Sequence, residues 1–216
     1  KVRVLAARQD LADVESELGQ RPGYILGVGR LVAKKNWQNV LEAYRRVHDS
    51  DLVTPKLLIV GDGPDRDQLE DYISNYNLDG SIEVIPFVQP ETLCKYYAWA
   101  GCLVLASSYG ETWGLVVNEA LHHGLPCVVS SAVGAAPDLV EEGVTGATFE
   151  VGSVEGLGRA IEQTMNLLKM PDLRLRCREK ANQYSLDAAA RGIARAYWEV
   201  VGIRGGTEVA GGVLSR

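Results

Sequence analysis

Short apolar runs that stop at glycine or polar turns, with amphipathic stretches between them, constrain this chain more than any other feature of its sequence. GYILGVG at 23–29, KLLIVG at 56–61 and LPCVVS at 125–130 are the clearest. Runs of this length bounded by turn signals read as buried strands, and apolar residues recurring every three or four positions read as helices. The pattern predicts strands over 23–29, 56–61, 82–87, 102–106, 125–130 and 146–150. It predicts helices over 36–48, 66–76, 91–100, 115–122 and 154–168, a turn with a short helix over 134–140, and later helices over 173–184 and 188–201. Strands alternating with helices imply a parallel sheet covered on both faces, so the expected class is α/β, doubly wound and Rossmann-like. Ligands of such sheets bind outside the C-terminal ends of the strands, which directs the search for chemistry to that edge.

Bulk properties narrow the field further. With 46% apolar and 23% charged residues, the 216-residue chain has the composition of a globular domain with a substantial core. Its formal charge of −6 argues against a nucleic-acid partner, which would call for clustered Lys and Arg in excess. No run approaches the roughly twenty apolar residues that span a bilayer. The opening KVRVLAARQD also lacks the apolar centre of a signal peptide, and the expected location, cytoplasmic, follows from cysteines that form no pairing pattern. The chain opens on Lys1 and not Met, which leaves room for a longer protein. Cys94, Cys102, Cys127 and Cys177 form no C-x-x-C pair and read as reduced core residues, with neither disulfide nor zinc site expected. Residues 1–22 read as a lead-in, and the Gly-rich residues 203–216 as a flexible tail.

The stretch from Ser107 to Glu119, SSYGETWGLVVNE, falls at a strand-to-helix turn on the ligand edge. Amides at a helix start have no internal partner and lie at the positive end of the dipole, so they suit a phosphate. Glu111 and Glu119 flank that start, and carboxylates so placed repel an anion unless they face something else, for which sugar hydroxyls are apt. Such a pair also suggests a glycosidase, but a pair at this spacing is common by chance, and a solvated helix face is the default reading of Glu119, His122 and His123. Trp113 is a core residue or a wall of the site, and its Gly-rich turn favours the wall. After the first strand, GVGRLV has Val32 where a dinucleotide fingerprint needs its third glycine, which weakens a dehydrogenase reading. That loop instead carries Arg30, Lys34 and Lys35, which suit a diphosphate, although a solvated basic turn explains them as well. The GDGP turn at 61–64 needs no explanation beyond tight turning, while Asp62 could approach a ribose or a base. Phe87, Val88 and Gln89 end the third strand, where backbone groups can meet a base; ordinary core is favoured for Phe87.

Arg30 with Lys35 five residues on, the GDGP turn, FVQPETL, and above all ETWGLVVNEA followed by GLPCVVS resemble the retaining glycosyltransferases of the GT-B fold, family 4. The resemblance runs from about Gly23 to about Leu168 and matches the C-terminal, donor-binding half of such enzymes. Its strength lies in the joint order and spacing of the elements. It implies a nucleotide-sugar-binding domain over 23–168, C-terminal helices over 169–202, and a UDP- or GDP-sugar donor. Carried over, it implies that Gly29, Arg30 and Lys35 meet the donor diphosphate together with amides around Gly114, Leu115 and Val116. Glu119 would hold the ribose, Glu111 the transferred sugar with Thr112, Trp113 and Gly114 beside it, and Phe87, Val88 and Gln89 the base. Glu111, Arg30 and Lys35 would be the catalytic set, with no metal or other cofactor expected. In the family, retention is commonly described without a protein nucleophile: the departing phosphate takes the acceptor proton on the same face. The acceptor, a sugar or lipid-linked glycan, would be met through an N-terminal domain missing from this sequence, with peripheral membrane association in the full-length protein. The last helix resembles the one that crosses back to that domain.

The sequence departs from the family pattern in three places. Ser107-Ser108 stands where Pro-Ser is common, Trp113 replaces the usual Phe, and Gly134-Ala135 replaces a Gly-Gly turn, followed by Ala136-Pro137-Asp138 where Pro-Glu is usual. The alternatives weighed beside the transferase are a noncatalytic nucleotide-sugar binding module, a sugar-nucleotide epimerase on the same architecture, and, behind both, a dehydrogenase.

Overall fold

The computed structural model describes residues 23–49 and 54–201; the expected lead-in and tail lie outside the described residues. Six strands form one sheet: β1 (Tyr24–Val28), β2 (Leu57–Val60), β3 (Ile82–Ile85), β4 (Ala100–Leu105), β5 (Cys127–Ser130) and β6 (Gly146–Phe149). Their order is β3-β2-β1-β4-β5-β6 and every pairing is parallel, which establishes the expected doubly wound α/β class. Winding reverses between β1 and β4, so the loops leaving those strands diverge and open a crevice at the C-terminal edge.

Among the described residues the α-helices are α1 (Trp37–His48), α2 (Arg66–Asn75), α3 (Pro90–Trp99), α4 (Leu115–His122), α5 (Ala136–Leu139), α6 (Val154–Leu167), α7 (Leu173–Gln183) and α8 (Leu186–Val201). Because successive strand side chains point to opposite faces, Ile25, Ile59, Val104 and Val128 join one core cluster with residues of α1, α2 and α6. The alternate residues Leu26, Leu58, Leu103 and Val129 are buried too, so both faces are covered. α1 buries Trp37, Val40, Leu41, Tyr44 and Val47 on one stripe, each contributing about 2 kcal/mol by removing apolar area from water. A Cβ at Gly27 would sit 2.6 Å from the Trp37 ring, and the indole N–H donates to the Arg30 carbonyl at 2.9 Å. The first glycine of GVGRLV therefore makes room for an indole that pins the loop. The described residues up to Ala181 form one compact unit; α8 belongs to a second, and carries exposed Leu186, Ile193 and Tyr197.

Candidate active site

The crevice edge brings together residues from the loops after β1 and β4. Lys35 closes a single turn of 3-10 helix (Ala33–Lys35), and its side chain crosses Gly29 to place Nζ 2.5 Å from Glu111 Oε2. Both side chains are largely buried, at 11% and 16% exposure. The Ser107 hydroxyl donates to the same carboxylate oxygen at 3.0 Å, and Ser130 Oγ in turn donates to the Ser107 carbonyl. Burial alone would raise the Glu111 carboxyl, but the hydrogen bond and charge of Lys35, the Ser107 hydroxyl and the charge of Lys34 outweigh it and hold it below its ordinary value. One oxygen, Oε2, is thus anchored twice, while Oε1 accepts no hydrogen bond among the described residues.

Main-chain links fix the two loops to each other. The Ser108 amide donates to the Lys34 carbonyl at 2.8 Å, the Ser108 hydroxyl does so at 3.3 Å, and Lys34 Nζ reaches the Gly110 carbonyl at 3.4 Å. On the other side Glu111 pairs with Val133 as an isolated parallel bridge; the Gly134 amide donates to the Glu111 carbonyl and the Ala135 amide to the Trp113 carbonyl, each at 2.9 Å. Gly114, at φ +93°, turns the chain into α4, whose N-terminus no side chain caps. The Val117 amide bonds the Gly114 carbonyl at 2.9 Å, which leaves the Leu115 and Val116 amides for an anion. Leu115 is 69% exposed on that end, Thr112 is exposed and Val116 half-buried.

Not every expected residue joins this group. Arg30 is exposed, and its guanidinium has no ion pair among the described residues. Glu119 is apart from the Lys35–Glu111 pair and accepts from the Tyr97 hydroxyl at 2.9 Å. Trp113 is half-buried, with its indole N–H on Asn118 Oδ1 at 2.5 Å. The core assignment of Phe87 is overturned: the ring is 65% exposed, because β3 is the sheet's edge strand and Phe87 lies beyond its end. Its amide is occupied by Asp62 Oδ2 at 2.7 Å, while Asp62 Oδ1 pairs with Arg66, so Asp62 braces the Phe87–Gln89 segment. Val88 is half-buried and Gln89 exposed.

His123 is a second correction. It was expected on a solvated face, as His122 is, but it is 8% exposed and stacks on Tyr97 with centroids 5.3 Å apart. It follows the last turn of α4, where the chain folds inward at Gly124. Burial, His122, Arg178 and Arg174 together lower it from 6.5 to about 4, and its Nδ1 has no hydrogen-bond partner. Between those two values the unfolded chain binds a proton that the native chain refuses, so stability falls as pH drops from about 6.5 to about 4, by on the order of 3 kcal/mol. His123→Phe keeps a ring against Tyr97 and should flatten this part of the stability-versus-pH curve in urea denaturation. An unchanged slope would exclude His123 as its source.

Sequence reasoning gave Ser107 no role at the site, although it stands where the family pattern has Pro, and it missed Tyr97, which nothing in the local sequence ties to Glu119. Elsewhere, a cavity of about 480 Å³ is lined by Gly143, Gly146, Ala147 and Gln163 at the start of β6, the opposite edge of the sheet. Its one ionisable side chain, Glu142, is already engaged by the Thr148 amide and hydroxyl.

The sequence profile of the glycosyl transferases group 1 family matches residues 9–184. The chain belongs to this family. Among its group 1 relatives, the alpha-D-kanosaminyltransferase of Streptomyces kanamyceticus is 32% identical over 206 residues, covering 88% of this chain and 51% of that protein. The N-acetyl-alpha-D-glucosaminyl L-malate synthase of Bacillus anthracis is 26% identical over 178 residues, 82% of this chain and 44% of the relative. The chain thus spans about half the length of these relatives. Among solved structures, the pneumococcal O-GlcNAc transferase GtfA in complex with UDP and GlcNAc superposes with a TM-score of 0.72 at 19% identity, over 86% of this chain and 37% of that one. Anabaena Alr3699/HepE in complex with UDP gives 0.70 at 20% identity, over 91% and 55%. These likenesses establish a glycosyltransferase fold of the GT-B kind. In this group 1 domain no described helix is long and apolar enough to cross a membrane.

Proposed function

We propose that the chain is the donor-binding half of a retaining, family 4 glycosyltransferase that moves a hexosyl group from a UDP- or GDP-sugar to an acceptor hydroxyl. The observation that carries this reading is the Lys35–Glu111 pair beside the uncapped start of α4. It puts a cation, a helix dipole and a carboxylate with one unpartnered oxygen at one strand edge, which is what an anion joined to a sugar requires. The UDP found with GtfA and with HepE supports the nucleotide class. An ammonium has three donors, and Glu111 occupies one of those on Lys35, leaving two for phosphate oxygens.

In this reading Arg30, Lys35 and the α4 amides bind the diphosphate and stabilise the charge that grows on it as the bond from the anomeric carbon to its oxygen breaks. The acceptor oxygen bonds to the same face of that carbon and its proton passes to the departing phosphate, so the protein supplies position and charge rather than a nucleophile. Glu111 Oε1 accepts from hydroxyls of the transferred sugar, Glu119 holds the ribose, and the segment from Phe87 to Gln89 borders the base. No metal is assigned a role. An N-terminal acceptor domain outside this sequence completes the cleft, and the whole protein acts in the cytoplasm or at the membrane surface.

Thermal denaturation with UDP, GDP and NAD tests the reading. A diphosphate at a hundred times its dissociation constant adds about 2.7 kcal/mol. For a domain of this size that should raise the melting temperature by roughly 5–10 °C. A shift with NAD and with neither diphosphate would sink it.

A further inference from the structure

Tyr97 is nearly inaccessible, at 2% exposure, and projects from α3 towards α4. Its hydroxyl donates to Glu119 Oε2 at 2.9 Å, and its ring is clamped by His123 at 5.3 Å with 16° between the planes. Burial and the charges of Glu119 and the nearby Cys127 and Cys94 thiols push its ionisation far above the ordinary tyrosine range, so the hydroxyl remains a donor. Glu119 Oε1 accepts nothing among the described residues. Helical side chains lean toward the helix N-terminus, and Glu119 stands one turn after the exposed Leu115, so its side chain leans toward the end where α4 begins.

We propose that Tyr97 is a positioning residue, holding the Glu119 carboxylate so that Oε1 accepts from the ribose hydroxyls of a nucleoside diphosphate. This rests on the donor-binding reading above. A glutamate has three rotatable side-chain bonds, and a carboxylate tethered through one oxygen to a buried, stacked phenol has lost most of that freedom before the nucleotide arrives. Binding then does not have to order it.

Calorimetric titration of UDP and of 2′,3′-dideoxy-UDP, or the guanosine pair if GDP is the diphosphate bound, tests the assignment. Tyr97→Phe keeps the ring against His123 and removes only the donor. It should weaken UDP about 5- to 10-fold, less than the full worth of a hydrogen bond to a charged group because the bond lost is to Glu119 and not to the ligand, and leave the dideoxy compound unchanged. In a Glu119→Ala background, Tyr97→Phe should have no further effect on UDP. Equal weakening of both ligands, or an undiminished Tyr97→Phe effect without the Glu119 carboxylate, would overturn the assignment and reduce Tyr97 to a packing residue. Failure of the unsubstituted chain to bind either diphosphate would instead remove the donor-binding reading itself.

Discussion

Glu111→Gln should separate the sugar-bearing donor from the free nucleoside diphosphate. The free diphosphate should bind as well as before or more tightly, because Lys35 loses the counter-charge 2.5 Å from its ammonium and offers its full charge to the phosphates. The nucleotide-sugar should bind roughly 10- to 100-fold more weakly, since a charge-assisted hydrogen bond to a sugar hydroxyl is worth about 1.5–3 kcal/mol. Titrating both ligands against both forms of the protein gives the ratio directly. In the complete enzyme, transfer should fall by at least the same factor. Parallel losses for the two ligands would mean that Glu111 supports the loop and does not meet the sugar. The substitution also costs stability: Lys35 and Glu111 are mostly shielded from solvent, and an uncompensated ammonium there is unfavourable. Diphosphate should therefore restore the melting temperature of the variant by more than it raises that of the parent.

Gly134→Ala should damage the same site without touching a charged group. A Cβ at that position would lie 2.0 Å from the Thr112 carbonyl oxygen and 2.7 Å from its carbon, both main-chain atoms that no rotamer change can move away. The loop from Glu111 to Trp113 must shift, and the 2.9 Å hydrogen bonds from Gly134 and Ala135 to it must stretch. Overpacking of this kind costs about 1–3 kcal/mol, equivalent to roughly 3–10 °C in melting temperature for a domain of this size. A displacement near 1 Å at a positioning loop can cost about 100-fold in turnover, so donor binding should suffer out of proportion to stability. Comparison with Gly80→Ala, where a Cβ meets nothing, gives the control. Wild-type affinity in Gly134→Ala would show that the bridge to Val133 does not set the position of Glu111.

Strand and helix positions were legible because strands such as β2 (LLIV) are short apolar runs, and helices such as α1 and α6 bury a regular stripe. The pairing of Lys35 with Glu111 was not legible: the sequence assigned one to the diphosphate and the other to the sugar, and only the sheet order shows that β1 and β4 are neighbours. Side-chain partners far apart in sequence were not legible. Tyr97 lies 22 positions before Glu119, and Asp62 lies 25 before the Phe87 amide it holds. Phe87 misled because apolar character predicts burial only where something covers the residue, and the end of an edge strand has no such cover. His123 misled in the opposite sense, since a polar residue at a helix end is usually wet unless the chain turns inward there. The structure accommodates Gly134-Ala135 in place of a Gly-Gly turn: a Cβ at Gly134 would meet the Thr112 carbonyl, while Ala135 has an ordinary negative φ of −80° and a fully buried methyl.

The cross-tie between Ser108 and Lys34 has a consequence for ionic strength. Attraction between a diphosphate and the exposed Arg30 is open to screening, with a Debye length of about 8 Å at physiological salt. The alignment of the lysine loop with the glutamate loop rests on the neutral bonds from the Ser108 amide and hydroxyl to the Lys34 carbonyl and on the largely buried Lys35–Glu111 pair, both of which dissolved ions screen far less. Added salt should thus slow the capture of donor while leaving the shape that receives it intact, so that attraction and fit respond to the medium separately.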